Sequence, residues 1–171
     1  MSVQHDIAWQ FLGFDELTTD QLYGLLQLRS EVFVVEQACV FQDLDGNDRQ
    51  ALHLLGTQAG SLLAYARCFA PGEKYAEASI GRVITHASQR GTGLGHVLMQ
   101  TALHDAGARW GYPAIRIGAQ ARLEHFYGQY DFVRAGAPYI EDGIAHIEML
   151  RPARDALAAQ PFSKTTHQAT S

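Results

Sequence analysis

Little in this chain points to a secreted, membrane-spanning or nucleic-acid-binding protein. Cysteine is scarce: Cys39 and Cys68 are the only two in 171 residues. They lie far apart, which favours two reduced thiols in a cytoplasmic protein over a disulfide framework. Positive charge is also scarce. Thirteen Lys and Arg stand against eighteen Asp and Glu, a net charge of −5, so there is no basic footprint for a nucleic acid. Long hydrophobic runs are missing. Stretches such as EVFVVEQ (31–37) are far too short to cross a bilayer, and no membrane partner is expected. The opening MSVQHDIAWQ lacks the basic start and apolar stretch of an export signal. Neither CxxC nor HExxH occurs, so no metal is expected.

What is present is ordinary for a globular chain: 47% hydrophobic, 18% charged and 10% aromatic residues. The length suits one domain able to bury a core unaided. We place that domain at 1–150. Pro152 ends the last strand, and 151–171 reads as an extension, a short helix at most and then a loose end.

Apolar periodicity gives the element order β-α-β-β-β-α-β-α-β-β, hence an α/β (α+β) chain with helices packed on a mixed sheet. A strand over 7–14 is followed by a helix capped by Thr19 or Asp20. Its apolar face repeats through Leu22, Leu25, Leu26 and Arg29 to Val32 and Phe33. The loop 38–50 is rich in Asp, Asn and Gly. Two strands then meet at a tight turn near Ala59-Gly60-Ser61. A strand over 77–87 runs into glycines, and a helix over 93–110 presents Leu94, Val97, Leu98, Thr101 and Ala102 on one face. A strand over 113–120 precedes a short helix carrying Leu123, Phe126, Tyr127 and Tyr130. The last hairpin turns at Glu141-Asp142-Gly143.

The stretch QRGTGLGHVLMQ (89–100) carries the chemistry. A strand entering a glycine-rich turn and then a helix is an anion-binding device: the first helical N–H groups lack partners and point at the turn. Glycines let a bulky phosphate approach the backbone, and Arg90 adds a charge there. The spacing lacks the Lys of a nucleoside-triphosphate loop. It also lacks the βαβ context of a dinucleotide site. The third candidate is the pyrophosphate of coenzyme A.

Arg90-Gly91-Thr92-Gly93-Leu94-Gly95 resembles the [QR]xxGx[GA] loop of the GNAT superfamily of acyl-CoA N-acyltransferases. The resemblance extends to EASIGRVITHASQRGTGLGHVLMQ (77–100) and RIGAQARLEHFYGQYDF (116–132). Through LYGLLQLRSEVFVVEQACVFQDLDGNDRQALHLLG (22–56) and YIEDGIAHIEM (139–149) it reaches the ElaA-like subgroup. Two positions depart from the family pattern. Gln120 replaces the usual Asn, and Asp131-Phe132 replaces the usual Gly-Phe, although Asp tolerates the left-handed conformation well.

The resemblance implies the GNAT fold, a mostly antiparallel mixed sheet with a splayed central strand pair and helices on both faces. It implies acetyl-CoA as cosubstrate and a small-molecule or peptide amine as acceptor, in a monomer or homodimer. It places coenzyme A at Gln89, Arg90, Gly91, Thr92, Gly93, Leu94, Gly95, His96 and Gln120, with Val83 and Ile84 beside the acyl group. Tyr127 matches the thiolate-protonating tyrosine; on pattern alone it is an ordinary core residue. Glu36, His53 and His146 are the candidate bases, expected to converge on one cleft, and each also fits a structural role. Asp43, Asp45 and Asp48 read as a solvated turn rather than a calcium loop, since no Glu closes a twelve-residue spacing. Their negative balance favours a cationic amine. Two other functions compete: an acyl-CoA sensor without turnover, and an acyl-homoserine-lactone-synthase-like enzyme, which LRSEVFVVEQ and DLDGND also resemble.

Overall fold

The computed structural model describes residues 6–155. The expectation for the extension beyond residue 155 therefore lies outside the described residues.

The chain opens with β1 (Ala8–Gly13) and α1 (Thr19–Arg29), which continues as a π-helical stretch over Ser30–Glu36. The cap is one residue earlier than expected. Thr18 Oγ1 accepts from the Gln21 amide (3.1 Å), and Gln21 Oε1 accepts from the Thr18 amide (2.9 Å). This reciprocal pair satisfies two orphan donors at once, which neither Thr19 nor Asp20 does.

Next come β2 (Leu52–Gln58) and β3 (Ser61–Phe69). The turn between them has positive φ at both Ala59 (49°) and Gly60 (79°), the geometry that matches strand twist in a two-residue hairpin. β4 (Ser79–Thr85), α2 (Leu94–Trp110), β5 (Ile115–Gln120) and α3 (Glu124–Gly128) follow. The end of the chain forms three strands rather than two: β6 (Val133–Arg134), β7 (Tyr139–Glu141) and β8 (Ile144–Arg151). The β7–β8 turn again has two positive φ values, Asp142 (48°) and Gly143 (77°).

Two sheets result. The first has the order β1-β2-β3-β4, antiparallel throughout. In the second, β8 pairs with β5, β6 and β7. They touch where β4 and β5 begin. The Ala78 amide donates to Ala114 O (3.1 Å) and the Arg116 amide to Ala78 O (2.8 Å). Past that single parallel bridge the two strands part, which is the splayed pair that the family resemblance implies.

Both faces of the first sheet are covered. Leu25 and Leu28 of α1 pack with Leu55, Tyr65 and Ile84 on one face. Leu98, Met99 and Ala102 of α2 pack with Leu54, Ala64, Ala66 and Ile80 on the other, and reach Ile117, Ile147 and Met149 of the second sheet. Burying a side chain such as Leu98, fully buried, contributes about 2–3 kcal/mol. Val97 does not join this face. It is 43% exposed, on the flank of the Leu94–Leu98–Ala102 ridge. α2 ends at Gly111 in the left-handed region (φ 76°), whose amide returns to Gly107 O at 2.8 Å.

Candidate functional site

Thr85 ends β4, and the next eight residues lead to the mouth of α2. Gly91 (φ 77°) and Gly93 (φ 88°) both sit in the left-handed region, where a side chain is strained. The amides of Gly91, Gly93 and Gly95 donate to no backbone carbonyl among the described residues. Leu94 anchors the first turn in the core, and Thr92 Oγ1 donates to Gln89 O at 2.6 Å. A Cβ on Gly93 would meet nothing within 4 Å, so the space in front of the loop is open. Free amides, a helix N-terminus and open space together form an anion cradle.

Of the residues expected at this cradle, two have other commitments. Arg90 is turned to the end of the π-helical stretch, where its guanidinium forks onto the Glu36 carboxylate (Nη2 to Oε2, 2.7 Å). That cation holds the Glu36 carboxyl below the usual range, which makes Glu36 a poor base while the pair lasts. His96 packs on Phe126 and Tyr130, and its Nδ1 lies 2.6 Å from the Tyr130 hydroxyl. Gln89 Oε1 is buried without a partner.

The parting of β4 and β5 opens a cleft of about 830 Å³ beside the cradle. Val83, Ile84 and Thr85 line one wall; Ile117, Gly118, Ala119 and Gln120 line the other. The β4 wall is bulged. Tyr65 pairs with Ile84 but Arg67 pairs with Gly81, so Arg82 and Val83 together oppose Ala66, with Arg82 at φ 48°. A bulge releases ladder groups from pairing and re-aims the strand.

Tyr127 closes the cleft from α3. Its ring is buried and edge-on to Phe126 and Phe132. Burial pushes the phenol up to about 12, so the hydroxyl is protonated at any physiological pH. Asp131 terminates the α3 segment in the left-handed region (φ 65°), as the Asp131-Phe132 departure allows. Gln120 lines the cleft, but its amide donates to Gln37 Oε1 (3.2 Å) and its oxygen accepts from Arg122 Nε (3.0 Å).

The three candidate bases do not converge. Glu36 and His146 line the cleft; His53 does not. His53 is fully buried in β2, accepting at Nδ1 from the Tyr65 hydroxyl (2.7 Å) and donating from Nε2 to Asp48 O (2.9 Å). Both nitrogens are occupied and burial lowers its pKa, so His53 is a neutral structural residue. His146 differs. Its Nδ1 lies 2.8 Å from Ile144 O, and a carbonyl only accepts, so Nδ1 carries a proton and, in the neutral ring, Nε2 holds the lone pair. Glu141 Oε2 lies 3.7 Å from that Nε2, and Tyr139 stacks on the ring.

The loop 43–48 also departs from expectation. Asp43 and Asp48 are buried, not solvated. Arg29 donates to both (2.8 and 2.6 Å), Arg67 to Asp45 and Asp48 (2.7 and 2.9 Å), and Arg82 to Asp43 (2.7 Å). Three guanidiniums neutralise three carboxylates. The negative balance expected to draw a cationic amine is absent. Charges buried this deeply persist only when paired.

Sequence reading passed over Arg67, Arg82, Lys74, Tyr139 and Glu141, which also line the cleft. A signal existed for the arginines: Arg29, Arg67 and Arg82 each interrupt an apolar segment, and their number matches the three aspartates.

Comparison with known proteins agrees with this architecture. The family model described as an acetyltransferase (GNAT) domain matches residues 17–151. Protein ElaA of Escherichia coli (strain K12) is 43% identical over 147 residues, which is 85% of this chain and 96% of that protein. The crystal structure of an acyl-CoA N-acyltransferase from Pseudomonas aeruginosa superposes with a TM-score of 0.82 at 43% identity, covering 85% of this chain and 99% of that one. The crystal structure of Escherichia coli ElaA gives 0.80 at 42% identity, over 85% and 99% of the two chains. The splayed sheets, the cradle at α2 and a family match over most of its length agree: this chain belongs to the GNAT acetyltransferase family.

Proposed function

We propose that this protein transfers an acetyl group from acetyl-CoA to a primary amine of a small molecule or peptide, by direct attack within a ternary complex, in the cytoplasm. The observation that carries this reading is a juxtaposition. The open amide cradle at the start of α2 follows directly on Thr85 and Arg90, which line the cleft between β4 and β5, and the bulged strand, Tyr127 and His146 line that same cleft.

The residues divide the work. The amides of Gly91, Gly93 and Gly95 and the α2 N-terminus take the pyrophosphate, with Arg90 once it leaves Glu36. The pantetheine lies along β4, and the bulge at Arg82-Val83 offers backbone donors to the thioester oxygen as it gains charge. The amine nitrogen attacks the carbonyl carbon and gives up a proton to His146 Nε2. The carbon–sulfur bond then breaks and the sulfur departs with the bonding pair, hydrogen-bonded by the Tyr127 hydroxyl. With its phenol near 12, Tyr127 holds a proton at all times but is a weaker acid than a thiol. It therefore stabilises the leaving thiolate by a hydrogen bond and passes it a proton that the phenol regains from solvent, while His146 returns the amine's proton to solvent.

Calorimetry with coenzyme A and a thiol-release assay with acetyl-CoA over a panel of amines test the reading. The expected result is binding together with amine-dependent thiol release. Tight binding with no release would favour a sensor, and absence of binding would reject the site.

A further inference from the structure

The acceptor end of the cleft carries unpaired charge of both signs on opposite walls. The Asp43, Asp45 and Asp48 carboxylates are matched by Arg29, Arg67 and Arg82 and leave no net charge. On the wall of the first sheet this leaves Lys74, in the connection between β3 and β4. Lys74 has no carboxylate within salt-bridge distance among the described residues. The chain uses only two lysines against eleven arginines, and one of the two lines this cleft. Beside it lies Arg67, 2% exposed, whose Nε is buried and donates to nothing. Partial burial, then Arg67 and Arg82, pull the Lys74 ammonium below the ordinary lysine value. A negative ligand there would relieve that repulsion.

The β7–β8 turn of the second sheet is opposite in sign, while Arg122, which also lines the cleft beyond β5, donates to Gln120. Glu141 and Asp142, at the β7–β8 turn, line the same cleft without a guanidinium partner, and Glu141 faces His146. The turn is tied to the first sheet's side by Cys39, whose thiol lies 3.2 Å from Asp142 O.

Building on acetyl transfer as proposed above, we infer that the acceptor is an amino carboxylate. Its carboxylate sits beside Lys74 and Arg67, and its amine sits beside Glu141 and His146, facing the bulge of β4. The carboxylate is a spectator; the amine loses its proton to His146 as the amide bond forms. A zwitterion fits because Lys74 has no carboxylate, and Glu141 no guanidinium or ammonium, within ion-pair distance among the described residues, and each matches one end of such a ligand. A purely cationic amine would leave Lys74 repelling it.

The test compares matched acceptors: amino acids and short ω-amino acids against their carboxamides, with acetyl-CoA and the full chain. Carboxylate acceptors should exceed carboxamides in kcat/KM by about tenfold or more, the effect of one charge-assisted contact. Lys74→Met should raise KM for the carboxylate acceptor by about tenfold, with kcat and the KM for acetyl-CoA unchanged; Lys74→Arg should restore it. Carboxamides that react equally well, or indifference to Lys74→Met, would overturn the assignment while leaving acetyl transfer in place. So would mass-spectrometric mapping that finds Lys74 itself acetylated after incubation with acetyl-CoA alone. Transfer to no amine at all, with coenzyme A bound, overturns both readings.

Discussion

Arg90 serves two masters. In the function proposed above its charge serves the pyrophosphate, yet it is forked onto Glu36. Glu36→Gln should therefore strengthen coenzyme A binding. The magnitude follows from exposure. The Arg90 and Glu36 side chains are 46% and 44% exposed, and an exposed ion pair is worth about 0–1 kcal/mol. The forked geometry places it near the top of that range, so removing the competing carboxylate should raise affinity by up to about fivefold. Titration calorimetry at low and high salt measures this, and the gain should shrink as salt screens the pair. Arg90→Ala is the control. It removes both the pair and the phosphate contact, and should weaken binding by about tenfold or more. Turnover adds a second readout. If Glu36 only holds Arg90, Glu36→Gln leaves kcat within about twofold; a base would cost far more. Unchanged or weaker coenzyme A binding in Glu36→Gln would refute the competition.

Other perturbations separate the remaining roles. Tyr127→Phe removes one oxygen from a buried ring and should keep fold and coenzyme A affinity while turnover falls by roughly 10²; full activity would leave Tyr127 as core alone. His146→Ala should lower the transfer rate by a similar factor without changing coenzyme A affinity by calorimetry; an unchanged rate would remove His146 from the chemistry. Gly93→Val puts a β-branched residue at φ 88° and fills the open space before the amides. Calorimetry should show coenzyme A binding lost in a protein whose circular dichroism is retained. His53 sets an acid limit on stability. Burial lowers its folded pKa below the ordinary 6.5, so its contribution is complete above about pH 6.5 and is lost as pH falls through the lowered value. Urea midpoints should drop on acidification in the wild type and less so in His53→Gln; parallel curves would contradict the assignment.

Much of the frame was legible along the chain. Element order came from period-2 and period-3.6 patterns. The hairpins came from Ala59-Gly60 and Asp142-Gly143, and the open turn before α2 from Gly91, Gly93 and Gly95. All of these are set by φ preference and side-chain spacing over a few neighbouring residues. The splitting of the last segment into β6 and β7, and the exposure of Val97, were not, because they depend on which neighbour each strand or helix meets. The site divided the same way. His53 and His146 look alike in sequence, each a lone histidine in an apolar strand. β2 is covered on both faces, so His53 is locked between Tyr65 and the Asp48 carbonyl. β8 passes the gap where the two sheets part, so His146 lines the cleft with only Nδ1 hydrogen-bonded and Nε2 beside Glu141. The acidic loop looked solvated because its partners, Arg29, Arg67 and Arg82, lie 14 to 39 residues away. Chain-local rules fix the backbone path and the glycine cradle. Whether a charge is spent inside the protein or left for a ligand depends on groups remote in sequence, and tertiary packing alone decides it, because desolvation and ion pairing act through space rather than along the chain.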